Sequence, residues 1–163
     1  QNRGIGRHMK VGKEGIAGAI SALECWMNRD HEFEKNKETQ IIKKWKNDLF
    51  DIQSIEISEH EDWTGNPITR IKIKIDPERC FANAWEISSR LKNLNPSIVV
   101  RDDLIENQEF FLDPCNINHD EIGLVSDSII KVLNDFTNDP ERKKETWSEI
   151  KSTREKNILS WGD

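Results

Sequence analysis

The thirteen residues Arg3 to Gly15, RGIGRHMKVGKEG, hold four glycines and five cationic side chains, counting His8 when protonated. Glycine lets backbone approach an anion closely, and cations at a helix N-terminus favour it. A phosphate loop of the GxxxxGK[ST] kind needs four residues between its glycines and a hydroxyl after its lysine. Here five residues separate Gly6 from Gly12, and Glu14 follows Lys13. The phosphate-loop reading therefore fails. What remains is a cationic helix start, with Arg7, Lys10 and Lys13 lending charge and Glu14 complementing the helix dipole.

Arg101 directly follows the apolar run Ile98-Val-Val100. A side chain at the C-terminal end of a strand faces the crevice where α/β proteins bind ligands, and a guanidinium can hold a carboxylate or phosphate through two bonds. A salt bridge to Asp102, Asp103 or Glu106 accounts for Arg101 equally well. His8, His31, His60 and His119 are scattered, without ligand spacing, so no metal site is expected. His31 stands at a helix break; His60 and His119 stand in polar turns. There is no GxSxG, and no Cys or Ser is set beside a His in a way the sequence exposes.

These residues need elements to place them. Ile16, Ile20, Leu23 and Met27 recur at helical spacing from Lys13. Asn28-Arg-Asp-His31 interrupts the pattern, and Asp30 can cap a second helix carrying Phe33, Ile41, Trp45, Leu49 and Ile52. The two helices read as one long bent arm. Ile55-Glu-Ile-Ser58 and Ile71-Lys-Ile-Lys-Ile75 alternate with period two across a Gly/Asn/Pro loop, the pattern of an antiparallel pair. A helix with Phe81, Ala84, Ser88 and Leu91 on one side follows Asp76-Pro77. Ile98–Val100 and Glu109–Leu112 read as two further strands, and Asp120 to Asn134 as an amphipathic helix. Asp139-Pro140 reads as the start of a charged helical tail. The expected class is α+β: two leading helices, a β-β-α-β-β-α sandwich and a helical C-terminal tail.

Composition bounds the function. The 163 residues are 35% hydrophobic and 33% charged, with net charge −6 and pI ≈ 5.3. That length holds one domain or one domain with an appendage. The acidic balance lacks the basic face nucleic acid needs, so no nucleic-acid partner is expected. No apolar run reaches membrane-spanning length, and no membrane association is expected. Cys25, Cys80 and Cys115 form neither a disulfide framework nor a CxxC site; they read as packing cysteines in a reducing cytoplasm.

The block GIGR-x-MKVGKE-x-I-x-G-x-x-x-ALE at Gly4–Glu24, followed by Arg29-Asp-His31, resembles the pyridoxal-phosphate enzymes related to selenocysteine synthase (L-seryl-tRNA selenium transferase), in particular their D-glucosaminate-6-phosphate ammonia-lyase-like branch. Asp76-Pro77, Asn95-Pro-Ser-Ile-Val-Val-Arg101 and Phe111-Leu-Asp-Pro114 continue the likeness, to about Leu133. The resemblance implies the C-terminal small domain of a fold-type-I enzyme. Residues 1–54 would be a loop and long bent helical arm leaving a missing cofactor domain, 55–135 an α+β small domain and 136–163 a charged helical tail. The Schiff-base lysine would lie in the N-terminal portion of the same protein, since no lysine here has the family's context. Gly4, Ile5, Gly6, Arg7 and Lys10 would form a loop at the mouth of the active site beside a dimer partner, with His8 where the family usually has proline. Arg7 and Arg101 would contact the anionic groups of a small-molecule substrate.

The implied activity is that of a cytoplasmic lyase or transferase, a homo-oligomer of dimer size or larger. It would act on an amino acid or amino-sugar acid by α-proton loss and β-elimination, with pyridoxal phosphate as the cofactor. The fragment alone would be inactive. Two alternatives stand beside it. One is a stand-alone interaction or regulatory module derived from such a domain, using its six tryptophans as anchors. The other is selenium transfer to seryl-tRNA, against which the acidic balance argues.

Overall fold

A computed structural model describes residues 12–63, 65–115 and 117–159. Among them are six helices and one three-stranded sheet: α1 Lys13–Met27, α2 His31–Leu49, β1 Ile55–Glu61, β2 Thr69–Ile75, α3 Pro77–Cys80, α4 Ala84–Lys92, β3 Glu109–Leu112, α5 Ile122–Thr137 and α6 Trp147–Leu159. The class is α+β, as the alternation of periods predicts. The chain divides into two compact units, up to Asn36 and from Lys37.

In the first unit, the break after Met27 is fixed locally. Asp30 Oδ1 accepts the Phe33 amide at 2.9 Å, the N-cap that its position predicts. His31 Nε2 bonds the Trp26 carbonyl at 3.0 Å. None of the α1 residues is buried, and Ile16, Ile20, Leu23 and Met27 are each half exposed or more.

The second unit holds the core. Ile41, Trp45 and Leu49 of α2, Ile71, Ile73 and Ile75 of β2, Phe110 and Leu112 of β3, Ile87 and Leu91 of α4, and Ile129, Val132 and Leu133 of α5 form one buried cluster. Two polar ties fasten α2 to α5: Trp45 Nε1 donates to the Ile122 carbonyl at 2.9 Å, and Ser126 Oγ donates to Asp48 at 2.6 Å. Burial pushes the Asp48 carboxyl up, but the Ser126 hydroxyl and the Lys44 ammonium outweigh it and hold the group below its usual value.

Four expectations need correction. Ile98–Val100 is no strand: apart from one bridge, Arg101 with Phe111, the segment forms no ladder, and Val99 is exposed. The sheet therefore has the order β1-β2-β3, all antiparallel, instead of four strands. The helix after Asp76 is two helices, α3 and α4. Phe81 takes a left-handed φ of 58°, which ends α3, and an Asn83/Glu86 capping box starts α4. Asp139-Pro140 does not start the tail helix. The helix begins at Trp147, where Thr146 and Glu149 bond reciprocally. Of the cysteines, Cys80 is buried and Cys115 half-buried, but Cys25 is exposed on α1 and packs into no core. No helix among the described residues is long and apolar enough to cross a membrane.

Candidate functional site on the open face of the sheet

Side chains on neighbouring strands at one register position share a face. Ile57, Ile73 and Phe110 make one such row, turned to the core. The next row across the sheet is Ser58, Lys72, Phe111 and, through the isolated bridge, Arg101. This row lies on the opposite face. Arg101 thus does not stand at the end of a strand, as its sequence position predicts. It stands at the sheet edge, paired with Phe111 by two backbone bonds of 3.0 and 2.8 Å.

Phe111 is buried although it lies away from the core. Its cover is local. The His60 ring packs edge-on at 5.2 Å and the Trp63 indole at 6.2 Å, with His60 and Trp63 also 5.8 Å apart. The Arg101 guanidinium lies over Trp63 with Cζ 5.0 Å from the ring centroid. Its Nε donates to Asp103, the salt bridge the sequence leaves open as one explanation, and the side chain is 34% exposed. The result is an arginine stacked on an indole, above a sheet, with part of its fork reachable from solvent.

A buried charge network supports the platform from one side. Arg70, opposite His60, donates to Asp113 at 2.7 Å and pairs with Asp62 at 3.1 Å. This ties the end of the β1–β2 hairpin to the chain leaving β3. Burial pushes Asp113 up, but the Cys115 amide and the Arg70 guanidinium prevail and hold its carboxyl below the ordinary range. Burial pushes the Cys115 thiol up to about 12, with Asp113 and Glu38 adding to the effect, so it stays protonated and unreactive at neutral pH. From the other side, α6 grips the loop after Arg101. Arg154 pairs with Asp102 at 2.6 Å, and the Trp147 indole donates to Glu106 at 2.7 Å.

A cleft of about 380 Å³ lies elsewhere, between α4 and α5. Its central group is Glu86, which is fully used: one oxygen accepts from Arg142 at 2.7 Å and from the Glu145 amide at 2.8 Å, the other from the Asn83 amide at 2.8 Å. That is a structural junction holding the segment before α6. Among the described residues no cluster of His, Cys, Asp or Glu could hold a metal ion.

Of the residues predicted to form the site, Arg101 is the one described. Gly4, Ile5, Gly6, Arg7 and Lys10 lie outside the described residues, as does His8. Trp63 escapes the sequence reading; His60, expected in a polar turn, lies in β1, and Asp103 is one of the three salt-bridge partners the sequence offers for Arg101. An indole in a turn-rich loop between two alternating strands was the available signal, but its neighbour Arg101 is distant in sequence.

No protein-family profile matches the chain. Over 125 residues it is 25% identical to D-glucosaminate-6-phosphate ammonia lyase of Salmonella typhimurium (strain 14028s / SGSC 2262), covering 77% of this chain and 33% of that protein. Over 120 residues it is 26% identical to 5'-C-glycyluridine monooxygenase-decarboxylase of Streptomyces sp, covering 74% and 30%. The chain thus spans about a third of the length of the curated relatives it matches. A solved structure of D-glucosaminate-6-phosphate ammonia-lyase superposes with a TM-score of 0.64, covering 82% of this chain and 35% of that one at 22% identity, which shows a shared fold. Both curated relatives bear the names of enzymes.

Proposed function

We propose that this chain is the C-terminal small domain of a lyase or transferase dependent on pyridoxal phosphate, acting on an amino acid or amino-sugar acid. The observation that carries the reading is Arg101, stacked on Trp63 with its fork part-exposed on the sheet's open face. Supporting it is the likeness, over three quarters of the chain, to a lyase whose name specifies an amino-sugar acid phosphate. Arg101 would hold the substrate's carboxylate, because a planar guanidinium donates two parallel bonds to it. Trp63 would limit the side chain's freedom, lowering the entropy lost when the ligand binds.

The described residues do not fit the cofactor itself. A lysine that carries it is activated by desolvation or a nearby cation, and no described lysine is buried. The reading therefore places cofactor and lysine in another portion of the protein and derives no step through them here. It also places that portion, and a second subunit, against this domain.

The test is kinetic and uses the complete enzyme with D-glucosaminate 6-phosphate. Arg101→Met should raise KM by tenfold or more, because one charge-assisted contact contributes about 1.5–3 kcal/mol. Unchanged KM and kcat would remove Arg101 from the substrate site. The 163-residue chain mixed with pyridoxal phosphate should release no ammonia from the same substrate; turnover would refute the small-domain reading.

A second reading, a stand-alone interaction module, has one observation in its favour. The α1 stripe of Ile16, Ile20, Leu23 and Met27 is exposed along its length. A gene product that begins at this chain and stays monomeric and partner-free would exclude it.

A further inference from the structure

Three carboxylates follow Arg101 within five residues, and they are not equivalent. Asp102 accepts from Arg154 Nη1 at 2.6 Å, and Arg154 itself stacks on Trp147 with Cζ 5.5 Å from the ring. Glu106 accepts from the Trp147 indole at 2.7 Å. Both are fastened to α6. Asp103 is half exposed, and its bond to Arg101 Nε is the side chain's sole tie among the described residues. Neither Nη of Arg101 has a partner among the described residues.

We infer that Asp103 is a removable stand-in for a ligand carboxylate: it occupies Arg101 in the free protein and yields when a carboxylate-bearing small molecule binds, while Trp63 keeps the guanidinium in place. This rests on the reading of Arg101 as the anion contact. An exposed ion pair with a single hydrogen bond is weak. A ligand carboxylate that takes the fork with two parallel bonds is stronger and more directional. Arg101 Cζ lies over the Trp63 ring, and a cation–π contact consumes none of the guanidinium's hydrogen-bond donors, so it survives the exchange. Asp102 cannot take over the role of Asp103 while Arg154 holds it. The helix α6 thereby keeps the number of competing carboxylates at one. A monoatomic anion cannot use the fork in two places and does not offset the loss of the Asp103 bond, which makes the stand-in a filter for anions that present two acceptor oxygens; the two probes below separate carboxylate from phosphate.

The experiment titrates the full 163-residue chain, labelled with ¹⁵N, while its arginine Nε–H signals are followed by NMR. The proteins are wild type, Asp103→Asn, Trp63→Leu and Arg101→Met. The probes are D-gluconate 6-phosphate, and glucose 6-phosphate, which keeps the phosphate and lacks the carboxylate. Asp103→Asn keeps size and a hydrogen-bond acceptor at a half-exposed position, so the fold is preserved. It should bind D-gluconate 6-phosphate about two- to fivefold more tightly than wild type. Its affinity for glucose 6-phosphate should move less. Trp63→Leu should bind more weakly, and Arg101→Met should lose the response.

Equal affinity in wild type and Asp103→Asn would overturn the inference and leave the reading of Arg101 intact. Weaker binding by Asp103→Asn would overturn it too, since Asp103 would then orient the arginine. Equal tightening toward both probes would overturn the assignment to carboxylate. Arg101→Met titrating like wild type, or no response in any of the proteins, would defeat the reading of Arg101 and the inference with it.

Discussion

The two faces of the sheet are built from the same strands and do opposite things. On the inner face Ile71, Ile73, Ile75, Phe110 and Leu112 are buried among helices α2, α4 and α5. On the outer face Arg70, Lys72, Phe111 and Arg101, at the alternating register positions, meet acids and aromatic rings. The inner face gains stability from area removed from water, about 1.5–3 kcal/mol for each large apolar side chain. The outer face is held by paired charges and stacked rings, whose exposed members contribute little to stability. The contrast turns between adjacent residues of β3, Phe110 facing in and Phe111 facing out.

The contrast can be broken by substitution, and the largest effect belongs to the inner face. Phe110→Ala should lower unfolding stability by about 3–5 kcal/mol in denaturant titration, the cost of emptying a close-packed core site. A loss below about 1 kcal/mol would mean the inner face is not the core described here. Next comes Arg70→Met, roughly 3 kcal/mol, because Asp62 and Asp113 would lose their shared cation inside a part-buried network. This loss should depend on pH. The Asp113 carboxyl is held below its ordinary value in the folded chain. Its contribution is therefore complete above the unfolded value of about 3.9 and disappears as pH falls through the lower folded value. The gap between wild type and Arg70→Met should be widest at neutral pH and narrow below about pH 4, measured by urea titrations at several pH values. Smallest is Arg101→Met, which should move stability by no more than about 0.5 kcal/mol while removing carboxylate binding. A large stability loss there would place Arg101 among structural residues and merge the two faces.

Much of this was legible in the strands. Ile71-Lys-Ile-Lys-Ile75 announces one buried and one wet face, and Asp30 before His31 announces a cap; both are local signals. The misreadings concern what is not local. Ile98-Val-Val100 has the composition of a strand, but a ladder needs a partner edge in register, and only Arg101 meets Phe111. Phe81 ends a helix in a left-handed conformation that aromatic residues rarely adopt, so nothing in its type foretells the break; the Asn83/Glu86 spacing does. The site was half legible. Arg101 could be singled out by its place after an apolar run. Trp63 and His60 could not be joined to it, because roughly forty residues of chain separate them and only the sheet register brings them together.

In the proposed reading the open sheet face, not the cleft by Glu86 and Arg142, receives the ligand. Backbone and indole chemical-shift mapping of the ¹⁵N-labelled chain with D-glucosaminate 6-phosphate tests it most directly. The predicted shifts fall on Trp63, Arg101, Asp103 and Phe111, with His60 beside them. Shifts centred on Glu86, Phe136 and Arg142, with the Trp63 indole unmoved, would contradict it.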